Sequence, residues 1–240
     1  MNCSIHPTAD LANAAAADLL AEWLVEPGVR NVMVAGGNSP LDLYRRVAVR
    51  RLALSHLTVF VLDEYVGVPL EEPRNCANLL RRSVAEAWGI RPGRFFAVSS
   101  REGDAAASVA AQEQRIEEAG GLDVLVLGLG QNGHLGFNEP GSARDSGARV
   151  LDLDSVSIEA NRAWFSGDHA PAKGATIGLK TLLAARRVMI LAFGSRKATA
   201  VHAMVRGAVS DCCPASFLQA HPRIWAFLDP GAAAKLKGAA

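Results

Sequence analysis

Short runs of β-branched and other apolar residues alternate with longer stretches in which apolar positions recur every three or four residues. The runs at 31–35, 58–63, 123–128, 188–193 and 224–228 predict strands, and 95–98 and 175–179 predict weaker ones. Between them, 10–26, 40–54, 75–88, 105–119, 197–206 and 215–220 carry the helical period. A run such as Val124-Leu125-Val126-Leu127 has no polar face, which is the pattern of a sheet covered on both sides. Strand and helix in alternation predict an α/β fold: a three-layer α/β/α sandwich around a mostly parallel, Rossmann-like sheet with right-handed crossovers.

One segment departs from this alternation. Residues 136–173 are rich in Gly, Ser, Asp and Arg with weak periodicity, so an active-site lid is expected over about 142–173. No Pro/Ser-rich linker, internal repeat or low-complexity tract divides the chain, and 1–240 reads as a single domain carrying that excursion.

Charge and composition remove several classes. The 25 basic and 24 acidic side chains leave a formal charge of +1, which offers no field for nucleic acid or an anionic membrane. No uncharged apolar run reaches the roughly 18 residues of a membrane span. The N-terminal Ala-rich stretch has no basic region ahead of it and is interrupted by Asp18 and Glu22, a poor signal peptide. Cys3, Cys76, Cys212 and Cys213 follow neither zinc spacing nor a secreted disulfide framework, so free thiols in a reducing cytoplasm are expected.

Ligands of open α/β sheets bind beyond the carboxyl ends of the strands, and four such ends carry chemistry. In Ala35-Gly36-Gly37-Asn38-Ser39-Pro40 the glycines allow close backbone approach, Ser39 is a candidate N-cap and Pro40 suits a first helical position. That makes a helix N-terminus able to cradle an anion. It matches neither a Walker loop nor a dinucleotide fingerprint, and an ordinary strand-to-helix turn would look the same. Asp63-Glu64 places two carboxylates at the end of a buried strand. Their side chains alternate, so one is expected in the site; the alternative is that both cap the next element. After 128, His134 and Glu139 stand five apart among five glycines with Asn132 nearby, as an acid/base pair on a shaped loop would. In Gly194-Ser195-Arg196-Lys197, a lysine at a helix start has the wrong sign for the helix dipole unless an anion shares the site; a solvated surface lysine is the plain alternative. Two anion sites, a carboxylate and a His/Glu pair, without an evident set of metal ligands, suit a phosphorylated small molecule undergoing proton transfer.

These segments also resemble a known family. Ala-Gly-Gly-Asn-Ser-Pro at 35–40, Leu-Asp-Glu-Tyr-Val-Gly at 62–67, Asn-Gly-His-Leu-Gly-Phe-Asn-Glu-Pro-Gly at 132–141 and Gly-Ser-Arg-Lys-Ala at 194–198 are similar to the glucosamine-6-phosphate deaminases. Thr176-Ile177-Gly178 and the stretch 214–221 extend the resemblance over almost the whole chain. The related 6-phosphogluconolactonases share the Gly-Gly-x-Ser/Thr-Pro, Asp-Glu and Gly-His elements, but usually lack Phe-Asn-Glu-Pro and Asp-Glu-Tyr-Val-Gly.

The resemblance implies conversion of glucosamine 6-phosphate and water to fructose 6-phosphate and ammonia, with no redox cofactor and no required metal. Asp63 would move a proton between C2 and C1, and His134 would open the pyranose ring, held by Glu139 and Asn132. Gly36, Gly37, Asn38, Ser39 and Lys197 would hold the phosphate. A phosphosugar would be the partner of a cytoplasmic monomer or small homo-oligomer. Three departures stand out. Asn132 occupies a position where many members carry Asp. Leu151 and Asp152 stand where members activated by N-acetylglucosamine 6-phosphate carry Lys and Thr. Arg162 lies one position before the lid arginine that reaches the phosphate, and is expected to fold back onto it. Alternatives are a lactone hydrolase using His134 as base, a galactosamine-6-phosphate deaminase, and a sugar-phosphate sensor on the same scaffold.

Overall fold

In the computed structural model, which describes residues 1–236, seven strands form one sheet and three form another. Residues 237–240, the end of the expected domain, lie outside the described residues. The strands are β1 (Asn2–Ile5), β2 (Asn31–Val34), β3 (Thr58–Val61), β4 (Asp63–Tyr65), β5 (Phe95–Phe96), β6 (Val124–Gly128), β7 (Arg149–Asp152), β8 (Lys173–Thr176), β9 (Arg187–Ala192) and β10 (Ile224–Leu228). The α-helices are α1 (Ala9–Leu24), α2 (Asn38–Ala48), α3 (Cys76–Leu80), α4 (Glu102–Glu118), α5 (Ser155–Trp164), α6 (Leu179–Leu183) and α7 (Ala198–Arg206).

The large sheet runs β1-β10-β9-β6-β2-β3-β5, and every pairing in it is parallel. Its apolar strands bury both faces, as their lack of a polar side requires. Val124 and Val126 join the core beneath Leu20 of α1 and Leu43 of α2, whereas Leu125 and Leu127 face Val109 of α4 and Val201 of α7. Each such side chain contributes about 1.5–3 kcal/mol on burial, so a one-residue slip of register is strongly disfavoured. The three-layer sandwich read from the sequence is therefore the architecture observed.

The connections set the position of the site. From β2 the chain proceeds outward through β3 to β5, then returns to β6 on the other side of β2 and continues to β9 and β10. The order reverses between β2 and β6, and a crevice opens beyond the carboxyl ends of strands at such a switch point.

Four local differences from the sequence pattern have physical reasons. The run 58–63 is two strands in two sheets. Leu62 N still donates to Val34 O at 3.0 Å, but Asp63 then pairs antiparallel with Thr176 in the small sheet, ordered β4-β8-β7. The run 175–179 likewise contributes an antiparallel strand of the small sheet, not a strand of the large one. β1 is too polar to show a strand period and is positioned by its parallel ladder to β10. The expected lid stretch contains β7 and α5. The buried positions of α5 are Ser157 and Asn161, polar residues that leave no hydrophobic period to detect.

Candidate active site

A cavity of about 870 Å³ lies over the carboxyl ends of β2, β3, β6 and β9, with α5 as one wall. At the end of β2, the buried Tyr44 hydroxyl accepts from Ala35 N at 3.1 Å and donates to Ala35 O at 3.0 Å, which clamps the strand just before Gly36. α2 then starts at Asn38 with Gly37 as its N-cap, earlier than expected, so Ser39 lies in the first turn and does not cap it. No side chain caps this end, and Gly36, Gly37, Asn38 and Ser39 all line the cavity. Uncapped first-turn amides carry partial positive charge, which is the feature an anion cradle requires.

Lys197 lines the cavity from the end of β9, as the N-cap of α7, and its Nζ donates to Leu129 O. Burial, reinforced by the neighbouring Arg196 charge, pulls its pKa down to about 8. A bound anion would offset both effects.

The adjacent carboxylates diverge. Glu64, fully buried, accepts from Tyr65 N at 2.8 Å, Cys76 N at 3.1 Å and Ala77 N at 2.8 Å, and so ties down the start of α3. Asp63 faces the cavity and receives no hydrogen bond from a side chain or backbone group among the described residues. Burial, with the Glu64 charge added, pushes its pKa up to about 7. Such a carboxylate can take up a proton and return it near neutral pH. Gly136 covers it: a Cβ there would lie 3.2 Å from Asp63 Oδ2 and 2.9 Å from Thr176 Oγ1, so only glycine lets the loop approach this closely.

His134 also lines the cavity. Its Nδ1 lies 3.2 Å from Glu139 Oε2 and 3.2 Å from Ser157 Oγ. With the carboxylate at Nδ1, that nitrogen carries the hydrogen and Nε2 remains for proton exchange. Burial alone would raise the Glu139 pKa, but the hydrogen bond and charge of His134, with Ser157 and Asn132 as further donors, hold it below the usual range. Asn132 Nδ2 donates to Glu139 Oε2 at 2.8 Å and its Oδ1 accepts from His134 N at 3.2 Å. Asn132 therefore steadies the carboxylate and the loop backbone, not the imidazole ring. Gly130 lies so close that a Cβ would come within 2.4 Å of that ring.

α5 presents Ser157, Asn161 and Trp164 to the cavity on one face. Asn161 Oδ1 accepts from the Tyr65 hydroxyl at 3.0 Å, and the Tyr65 ring packs on Phe137 and Phe165 at 4.9 and 5.2 Å. Arg162 does not fold back. Its side chain is 61% exposed, with Nε 3.8 Å from Glu159, and it is absent from the cavity lining, whereas Asn161 and Ala163 on either side belong to it. One step along a helix turns a side chain by about 100°, which carries Arg162 out of the site. Arg74, from the segment before α3, lines the cavity in its place. Arg74, Ser157 and Asn161 carried no motif that singled them out, and Tyr65 stood inside Leu-Asp-Glu-Tyr-Val-Gly with no role assigned to it. Leu151 and Asp152 pair with Gly174 and Lys173 on the small sheet and do not line the cavity.

Among the described residues no group of three or more His, Cys, Asp or Glu is placed to hold a metal ion, and no helix is long and apolar enough to cross a membrane. All four cysteines are unpaired.

The geometry has counterparts. Residues 6–225 match the family described as glucosamine-6-phosphate isomerases/6-phosphogluconolactonase. A glucosamine-6-phosphate deaminase of Beutenbergia cavernae is 37% identical over 243 residues, covering 99% of this chain and 93% of that relative. Another, of Cutibacterium acnes, is 39% identical over 226 residues, covering 92% and 87%. Among solved structures, a monomeric glucosamine-6-phosphate deaminase superposes with a TM-score of 0.92 at 29% identity, covering 98% of this chain and 99% of that one. A 6-phosphogluconolactonase from Trypanosoma cruzi shares the fold at a TM-score of 0.81 and 19% identity, covering 99% and 97%. The chain belongs to the glucosamine-6-phosphate isomerase/6-phosphogluconolactonase family.

Proposed function

We propose that this protein converts glucosamine 6-phosphate and water to fructose 6-phosphate and ammonia. The observation that carries the reading is the convergence on one cavity of a buried carboxylate without a protein donor, Asp63, a carboxylate-backed imidazole, His134, and an uncapped helix N-terminus. The deaminase relatives, matched over nearly their full length, support it.

The phosphate sits on the α2 amides and Lys197, which places the sugar across the strand ends. Nε2 of His134 moves a proton from the anomeric hydroxyl to the ring oxygen, and Glu139 stabilises the imidazolium that forms in between. In the open-chain aldehyde Asp63 takes the proton from C2 while the substrate's 2-ammonium group gives one to O1, and an enolamine forms. The same carboxyl returns the proton to C1, leaving an imine at C2. Water adds there, the C–N bond breaks, and ketone and ammonia result. Three cations against one carboxylate in the cavity lining suit a phosphate dianion. Every group comes from one chain, taken as a single domain, so catalysis needs no second copy. We place the reaction in the cytoplasm, where four unpaired thiols stay reduced.

Incubation with glucosamine 6-phosphate should release ammonia and fructose 6-phosphate in equal amounts. Galactosamine 6-phosphate, run in parallel, reads the choice of epimer. Hydrolysis of a phosphogluconolactone without any ammonia release from the amino sugar would overturn the proposal.

A further inference from the structure

We propose that Arg74 binds the substrate phosphate, as a cation supplied by the fixed wall of the cavity and not by the lid helix. The inference deepens the functional reading above and rests on it.

The segment carrying Arg74 is firmly held. Asn75 is fully buried, caps α3 by accepting from Asn78 N at 3.1 Å, and donates to Val68 O at 3.3 Å. The Glu64 carboxylate holds the amides of Cys76 and Ala77 directly after it. The backbone at Arg74 is thus set by the buried start of α3.

The guanidinium has no carboxylate. Arg45, Arg46, Arg50, Arg81, Arg101, Arg162, Arg186 and Arg187 each lie within 4.0 Å of an acidic oxygen, whereas Arg74 forms no ion pair among the described residues. Glu72, its nearest acid in sequence, accepts from the Arg74 backbone N at 3.2 Å and faces His169 at 3.8 Å, so it is engaged elsewhere. The side-chain hydrogen bond of Arg74 runs from Nη1 to Ser166 Oγ at 2.9 Å, and the guanidinium carbon lies 6.0 Å from the Trp164 ring centroid. Nε and Nη2 remain, an adjacent pair of donors in the fork that matches two oxygens of a phosphate. Half-buried, lining the cavity, stacked against an aromatic face and unneutralised, this arginine lacks only an anion.

The second cation has a job to do. Lys197 gives one of its donors to Leu129 O and offers a point charge, and Arg196, the third cation of the lining, is exposed, so the paired donors of Arg74 supply the half-buried fork that a dianion needs once α5 excludes water. Through Ser166 and Trp164, Arg74 also touches the C-terminal end of the lid, so a phosphate held by Arg74 lies against the lid wall.

A latch without phosphate contact is the competing role, and three variants separate the two. Inorganic phosphate serves as the probe, read by calorimetry and by competitive inhibition of ammonia release. Arg74→Ala should weaken phosphate binding and raise KM for glucosamine 6-phosphate, each by about tenfold or more, with kcat changed by less than about threefold. Arg74→Lys should restore part of the affinity. Ser166→Gly removes the latch partner at a φ of +58°, where glycine is at ease, and should leave phosphate affinity unchanged. Unchanged phosphate affinity in Arg74→Ala, or an equal loss in Ser166→Gly, overturns the proposal. Phosphate binding by a wild-type protein that releases no ammonia would instead remove the proposed reaction and leave the Arg74 comparison readable.

Discussion

The floor of the cavity and its lid wall are held by different forces. The floor groups follow strands whose residues are almost wholly buried: Asn38 and Ser39 after β2, Asp63 after β3, His134 after β6 and Lys197 after β9. Their positions inherit the rigidity of a parallel ladder and two packed core layers. The lid helix α5 is held by polar contacts, Tyr65 to Asn161, Arg74 to Ser166 and His134 to Ser157, and by one buried ring at its end, Phe165 packed on Tyr65. A hydrogen bond of this kind contributes about 0.5–1.5 kcal/mol and the one buried ring about 1.5–3 kcal/mol, far less than the two core layers that fix the strand ends, so this wall is held more weakly than the floor. Substitutions on the floor should therefore cost much more than substitutions on the lid.

The largest effect is expected at Asp63. Asp63→Asn should lower kcat by at least about a hundredfold with KM little changed, and should abolish exchange of the C2 hydrogen with deuterated water. Exchange retained in the variant would move the base elsewhere. The same substitution should stabilise the fold. Because the folded-state pKa of Asp63 is pushed up to about 7, the native protein keeps this proton where the unfolded chain has released it, and stability falls as pH rises from about 4 to 7. The Tm of Asp63→Asn should exceed that of the wild type at pH 8, and the difference should close toward pH 4.

Next comes Lys197. Lys197→Ala should raise KM at least about tenfold. Since burial brings the Lys197 pKa to about 8, the wild-type KM should climb between pH 7 and 9 as the ammonium is lost, while that of Lys197→Ala stays flat. Parallel profiles would assign the climb to another group.

Asn132→Asp is a smaller change on the same floor. It replaces the donor 2.8 Å from Glu139 Oε2 with a second carboxylate, so the acidic limb of the pH–rate profile should move upward. An unmoved limb would separate Glu139 from the titrating unit.

On the lid, Ser157→Ala should lower kcat by about three- to tenfold through loss of one hydrogen bond to the His134–Glu139 pair, with KM unchanged and Thr restoring activity. Arg162→Ala, at an exposed ion pair on the outer face, should change KM by less than about twofold. A tenfold rise there would show that the arginine folds inward when the lid closes, and the division between floor and lid would fail.

The same division governs what could be read without coordinates. The strand runs, the helices flanking them and the sandwich they imply were legible, because a strand buried on both faces declares itself in consecutive apolar residues. The strand-end residues that line the cavity were legible too, since glycine, a charged side chain and a buried run stand side by side in the chain. Asp63 and Glu64 illustrate the limit. Alternation indicated that one would enter the cavity, but the assignment to Asp63 came from family resemblance, and its basis is that Glu64 is claimed by the amides of α3.

What the amino-acid order alone determined, then, is the sandwich, the two faces of its core and the four strand ends that meet at the cavity. Tertiary structure decided the rest: that 58–63 divides between two sheets, that Asn132 serves Glu139 and not the imidazole, that Arg162 faces solvent and that Arg74 faces the cavity. The physical reason is range. Apolar periodicity is a local signal, repeated within a few residues and backed by large burial energies. The contacts that shape the lid join residues 92 and 96 positions apart, Arg74 with Ser166 and Tyr65 with Asn161, through single hydrogen bonds that leave no trace in the local pattern of either segment.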